Sequence, residues 1–161
     1  MSQVAPHCVS EPNYAGNIIV NLASLPDFLR KPILKKRMEE FFTMSLPERQ
    51  VIINNALEAG PTIPFPNFSK LFATWLDILA TISEEKRNMM FSTYISEITK
   101  NPQKLVSFNL DGILEIFLSL EKSKQDAISG TIRSIVLSLP EEDKKRLFLV
   151  MPQSAKARLG I

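Results

Sequence analysis

Apolar residues recur at spacings of three and four along most of the chain. The clearest stripes cover residues 68–82, 91–98 and 128–139. This spacing is typical of amphipathic helices with one buried face. No segment sustains a strict alternation of apolar and polar residues, and no Asn-Gly or Asp-Gly hairpin pair occurs. We therefore predict an all-α fold with almost no strand.

A short phrase, Ser-Leu-Pro followed by Asp or Glu, begins at Ser24, Ser45 and Ser138. Serine is a good N-cap, proline is tolerated in a first helical turn, and an acidic side chain complements the helix dipole. Looser starts accompany Pro66, Ser83, Pro102 and Glu121. Anchored on the proline position, the starts fall at 26, 47, 66, 83, 102, 121 and 140. This predicts about seven short helices at a period of ~19 residues, stacked as a right- or left-wound repeat or an irregular bundle.

Four local predictions follow from the same pattern. The serines of the phrase, including Ser45 and Ser138, should cap helices. Pro32 should separate a single turn over 26–31 from a helix running from about 32 to 42. The segment after Pro102 carries apolar residues on two sides, so we expect it to lie in the middle of the stack. A smaller restart is expected after Pro152.

The sequence Leu46-Pro47-Glu48-Arg49, and Leu139-Pro140-Glu141-Glu142 through Arg146-Leu147, resembles two known families. One is the N-terminal domain of MgtE-type magnesium transporters, and the other is the armadillo-like part of the flagellar motor switch protein FliG. The resemblance implies a superhelix of short stacked helices over residues 24–159. It is confined to helix starts, and no functional residue is carried over from it.

The chain has 161 residues, a mass of 18.2 kDa, and 45% hydrophobic against 22% charged residues. These values fit one globular domain. We expect a flexible N-terminal tail over residues 1–16, which is rich in proline and poor in apolar residues, and a single helical domain over 17–161. One cysteine excludes an internal disulfide, and no apolar run is long enough to span a membrane. The expected location is the cytoplasm, in soluble form.

Candidate catalytic chemistry is sparse. The single histidine, His7, adjoins the single cysteine, Cys8, in the predicted tail, where nothing would hold their geometry. The acidic pairs Glu84-Glu85 and Glu141-Glu142 fit first helical turns, where they favour the dipole. The five glycines are far apart and form no phosphate-binding loop. We therefore predict a protein that is not an enzyme and needs neither cofactor nor metal.

Two basic clusters are the more informative feature, at residues 30–37 and 144–158. The chain as a whole has 19 basic and 17 acidic residues, so it has no general electrostatic signature of nucleic-acid binding. Aromatic residues near the clusters fall on the apolar stripes rather than between the cations. The residues predicted to contact a partner are Arg30, Lys31, Lys35, Lys36, Arg37, Lys156 and Arg158.

These observations favour a non-enzymatic module or adaptor that binds another protein through its helical repeats. The basic clusters favour an acidic partner. Within it, Lys31, Lys35, Lys36 and Arg37 would form an exposed ridge on the face opposite Leu34, Met38, Phe41 and Phe42. The alternative is a nucleic-acid-associated protein that uses both clusters to contact phosphates.

Overall fold

The computed structural model describes residues 14–161, in which every regular element is helical. The ten α-helices are α1 (Tyr14–Ala23), α2 (Asp27–Phe42), α3 (Leu46–Ala59), α4 (Phe65–Thr81), α5 (Glu84–Lys100), α6 (Gln103–Val106), α7 (Leu110–Leu118), α8 (Lys122–Leu137), α9 (Glu141–Val150) and α10 (Gln153–Leu159), with a 3-10 turn at Gly60–Thr62. No strand occurs in this part of the chain, so the all-α prediction is confirmed. Most of the predicted tail, with His7 and Cys8, lies outside the described residues, and residues 14–16 belong to α1.

The predicted helix starts agree closely with the structure. Helices α2, α3, α4, α5, α6, α8 and α9 each begin within one residue of the position that the repeat indicates. Three further helices bring the number from the predicted seven to ten. Helix α1 precedes the first start, α10 follows Pro152, and α7 is separated from α6 by residues 107–109. The side chain of Asn109 accepts a hydrogen bond from the Gly112 N–H at 3.0 Å, which caps α7.

The serines of the repeated phrase do not all play the predicted role. Ser45 forms a full capping box with Glu48, because its Oγ accepts the Glu48 N–H while Glu48 accepts the Ser45 N–H. Ser83 caps α5 through the Lys86 N–H. The prediction is wrong for Ser24 and Ser138. Their hydroxyls instead donate to the carbonyls of Asn21 and Ser134, because α2 and α9 begin after proline N-caps two residues later.

Helix α2 runs without interruption through Pro32, contrary to the predicted restart. Proline removes one amide donor from the helix, so the Phe28 carbonyl loses its usual partner. Phe28 lies on the solvent side, where water satisfies a carbonyl at little cost. The first turn is also held by the Leu29 and Arg30 amides, which both donate to the Pro26 carbonyl.

The helices form two layers. If α6 and α7 are counted as one unit of the repeat, each unit packs against the unit two positions further along the chain. One layer therefore contains α1, α3, α5, α8 and α10, and the other contains α2, α4, α6–α7 and α9. Most units also pack against the one three positions further on, which joins the layers. The most deeply buried large side chains are Ile53, Ile78, Leu79, Ile128 and Val136.

Helices α4 and α5, rather than the segment after Pro102, occupy the middle of the stack. Helix α7 packs mainly on α4, where Gly112 and Ile116 are buried. Its second apolar stripe, which includes Leu110, Leu114 and Leu118, is half-buried and does not join the core. The prediction that both faces are buried is thus wrong, because only one face of α7 meets another helix. Within residues 14–161, no helix combines the length and apolar character that crossing a bilayer requires.

Candidate interaction surface

Arg30, the first residue of the predicted basic surface, is buried. Only 2% of it is exposed. Its Nε donates to the Leu22 carbonyl at 3.1 Å, Nη1 donates to Asp27 Oδ1 at 2.5 Å, and Nη2 donates to the Leu25 carbonyl. The guanidinium therefore ties the start of α2 to the end of α1. It is not available to a partner.

The outer face of α2, opposite buried Leu34 and Met38, is unusually apolar in its first two turns. Phe28 is 75% exposed, Leu29 40% and Ile33 37%, and Pro32 is exposed beside them. Helix α2 is the first helix of its layer, and in the described chain no helix covers this face. Single exposed apolar residues are ordinary, but four on adjacent helical turns form a patch.

Two unpaired cations continue this face toward the end of α2. Lys35 and Lys36 are exposed and have no carboxylate partner among residues 14–161. The acids of the same helix are already engaged, since Asp27 pairs with Arg30, Glu39 with Lys86, and Glu40 with Arg37. We call the combined surface the α2 edge, and its residues are Phe28, Leu29, Pro32, Ile33, Lys35 and Lys36.

Lys31 and Arg37 flank this edge and have intramolecular partners. Lys31 Nζ lies 2.7 Å from Asp77 Oδ2 of α4, and Lys124 of α8 donates to the other oxygen of the same carboxylate. Hydrogen bonds from Lys124 and then from Lys31 hold the pKa of Asp77 below its usual value, and Asp77 in turn raises the pKa of Lys124. Arg37 lies 3.3 Å from Glu40. The Lys31–Asp77 pair ties α2 to α4, whereas the Arg37–Glu40 pair lies within α2, and both cations are already engaged.

The second basic cluster lies elsewhere, since α9 packs on α5 and α6, and α10 packs on α8. Lys156 Nζ sits 5.4 Å from the centre of the Phe148 ring, a cation–π contact that joins α10 to α9. Arg158 is exposed, and so are Lys145 and Arg146. Leu149 is 86% exposed next to these cations. The structure therefore does not bring the two predicted clusters together into one surface.

Two open grooves lie between neighbouring helices of one layer. The groove between α3 and α5 has a volume of about 260 Å³, and its walls include Leu46, Arg49 and Met89. It adjoins a part-buried network in which Glu97 accepts from Asn54 and Lys100 at 2.8 Å each, while Lys104 donates to Asn54. The wider groove between α5 and α8 has polar walls. No three potential metal ligands cluster in the described part of the chain.

Comparisons with known protein families, with curated proteins and with solved structures find no match to this chain. The geometry of the α2 edge therefore carries the functional argument.

The sequence predicts Lys35 and Lys36 as surface cations, but the predicted break at Pro32 puts Arg30 and Lys31 on a separate turn, and the apolar half of the α2 edge is missed. Phe28, Leu29 and Ile33 resemble core residues in the sequence, because they are large and neighbour Leu34. The signal that could have found them is their angular position, since they lie opposite Leu34, Met38 and Phe41 when α2 is drawn as one helix through Pro32.

Proposed function

We propose that the protein is a non-enzymatic interaction module and that the α2 edge binds an acidic, amphipathic helix of a protein partner. The observation that carries this proposal is the exposed apolar patch of Phe28, Leu29 and Ile33, followed at once by unpaired Lys35 and Lys36. An apolar helix face would bury against the patch, and acidic residues at its margin would neutralise the two lysines.

The alternative, a nucleic-acid-associated protein, has less support. Phosphate binding needs several free cations along one surface. In cluster 30–37, Arg30 is buried, and Lys31 and Arg37 are paired with carboxylates. The exposed side chains that remain beside Lys35 and Lys36 are aliphatic or proline apart from Phe28, which offers little for base stacking.

The test uses a fluorescein-labelled peptide helix with leucine at spacings of three and four and glutamate elsewhere. Fluorescence anisotropy should show binding that weakens at least tenfold in Phe28→Ala and in Lys35→Glu/Lys36→Glu. Lys145→Glu/Arg146→Glu, an equal change of charge on α9, serves as the matched control and should bind like the wild type.

A labelled DNA duplex distinguishes the alternative in the same assay. If the duplex binds more tightly than the peptide, with an affinity that falls steeply with salt, the nucleic-acid function is supported and the proposal is wrong. Equal peptide binding by all variants would also contradict the proposed use of the α2 edge.

A further inference from the structure

Helix α7 carries the charge and apolar pattern that the α2 edge would recognise. Its outward face combines half-buried Leu110, Leu114 and Leu118 with exposed Asp111 and Glu115. The leucines lie outside the core cluster, and neither acid forms an ion pair within residues 14–161. The helix is thus an acidic, amphipathic helix whose outer face has no partner helix.

Two other acidic helix faces of the described chain lack this combination. Glu84 and Glu85 on α5 are also unpaired, but their neighbours across the groove are Asn88, Thr131 and Ser134, which are polar. The acids at the start of α9 share their helix with Lys144, Lys145 and Arg146, so that surface has mixed charge. On α7, by contrast, two exposed acids without an ion-pair partner border half-buried leucines.

We infer that the partner of the α2 edge is a second copy of this chain, whose helix α7 docks on it. This inference rests on the proposed function and names the partner. Lys35 and Lys36 would face Asp111 and Glu115 of the other copy, and Phe28, Leu29 and Ile33 would cover its leucine stripe. Both sets of charges lack intramolecular partners, so the contact neutralises them without breaking an existing ion pair.

The geometry of such a contact has a consequence for assembly. The two surfaces are different, so the contact is heterologous: one copy keeps a free α7 face and the other keeps a free α2 edge. Repetition yields open chains or rings of copies rather than only closed dimers. A contact with the nine-residue helix α7 is small compared with stable interfaces, so self-association is weak and appears only at high protein concentration.

Charge exchange tests the inference. In sedimentation velocity, the weight-average sedimentation coefficient of the wild type should rise with concentration and return to the monomer value in high salt. Lys35→Glu/Lys36→Glu alone and Asp111→Lys/Glu115→Lys alone should both remain monomeric, because their two surfaces then carry the same sign. An equimolar mixture of these two variants should associate again, since each reversed surface finds an opposite one.

The chain that carries all four substitutions should also self-associate, which excludes misfolding as the reason for the loss in either double variant. Lys145→Glu/Arg146→Glu should associate like the wild type. Failure of the mixture and of the fourfold variant to recover association would overturn the inference, and so would a wild type that stays monomeric. If that monomer binds the acidic peptide through the α2 edge, the proposed function stands and only the identity of the partner is wrong.

Discussion

Arg30 and Lys35 have similar positions in the sequence pattern but opposite roles in the fold. Both are basic residues of one cluster, five positions apart, and composition does not distinguish them. Helical geometry does, because Arg30 shares the face of Leu34 and Met38 while Lys35 points to solvent. The continuous helix through Pro32 sets this geometry, and a helix restarting at Pro32 would have left Arg30 on an unrelated turn.

Two buried arginines give a matched test of this role. Arg30 has three hydrogen-bond acceptors, whereas Nε and Nη1 of buried Arg87 have no partner in the described structure. Arg30→Met should lower the free energy of unfolding by about 2–4 kcal/mol, because the Leu25 carbonyl and Asp27 lose their donor and the Leu22 carbonyl keeps only the Leu25 N–H. Arg87→Met should be neutral or stabilising, since it removes a buried charge without breaking a hydrogen bond. Urea melts measure the free energy of unfolding of both variants. Similar losses of stability in the two variants would contradict the conclusion that the hydrogen bonds of Arg30 stabilise the fold and that Arg87 makes none.

The serines of the repeated phrase allow a second comparison at this scale. Ser45→Ala should destabilise by about 1 kcal/mol because the capping box of α3 is lost. Ser138→Ala should change stability by less than about half that amount, since its exposed hydroxyl caps no helix start. Thermal melts of the two variants decide the point. A larger effect at Ser138 would mean that α9 begins earlier than the structure shows.

At the scale of elements, the repeat located seven helix starts because capping and proline chemistry act within a few residues. The break between α6 and α7 was not predicted, although Asn109 is a good N-cap residue, because the apolar stripe continues across it. Which stripe of that segment is buried depends on the position of α4. The spacing of apolar residues does not indicate where α4 lies, so the sequence predicts equal burial for Leu114 and Ile116.

Two glycines inside helices allow the effect of helix propensity on stability to be distinguished from the effect of packing. A Cβ on Gly112 would lie 2.4 Å from Phe65 Cζ, whereas a Cβ on Gly130 would have no neighbour within 4 Å. Gly130→Ala should therefore stabilise the protein by about 0.5–1 kcal/mol through helix propensity alone. Gly112→Ala should instead destabilise it, because α7 would be forced away from α4. Denaturant melts should show opposite signs, and stabilisation by both changes would mean that α7 is loosely attached.

At the scale of the whole molecule, the period of the repeat can be predicted from the sequence, but the assignment of helices to the two layers cannot. A period of ~19 residues fits a short helix and a turn, and it leaves open which helices become neighbours. The packing of each unit on the second and third units along the chain depends on the turn conformations. The α2 edge is exposed for this reason, since α2 is the first helix of its layer.

Two carboxylates join helices across this arrangement, and they predict a response to acid. Asp77 links α4 to α2 and α8, and Glu97 links α5 to α3 through Asn54. The pKa of Asp77 is lowered by its hydrogen bonds from Lys124 and Lys31. At Glu97 burial acts to raise the pKa, but hydrogen bonds from Lys100 and Asn54 outweigh it and the pKa is lowered.

A lowered pKa in the folded chain means that, as pH falls, the unfolded chain takes up protons first. The contribution of both groups is therefore complete above their usual values of 3.8 and 4.5, and it is lost as pH falls through the lower values of the folded state. The free energy of unfolding from urea melts should decline below about pH 4.5.

Asp77→Asn/Glu97→Gln should be less stable at pH 7 but should lose less stability on acidification. Asp126→Asn, which removes an exposed pair within one turn of α8, is the control and should follow the wild-type profile. An unchanged acid response in the double variant would show that other carboxylates control acid unfolding, and that these two networks do not hold the layers together.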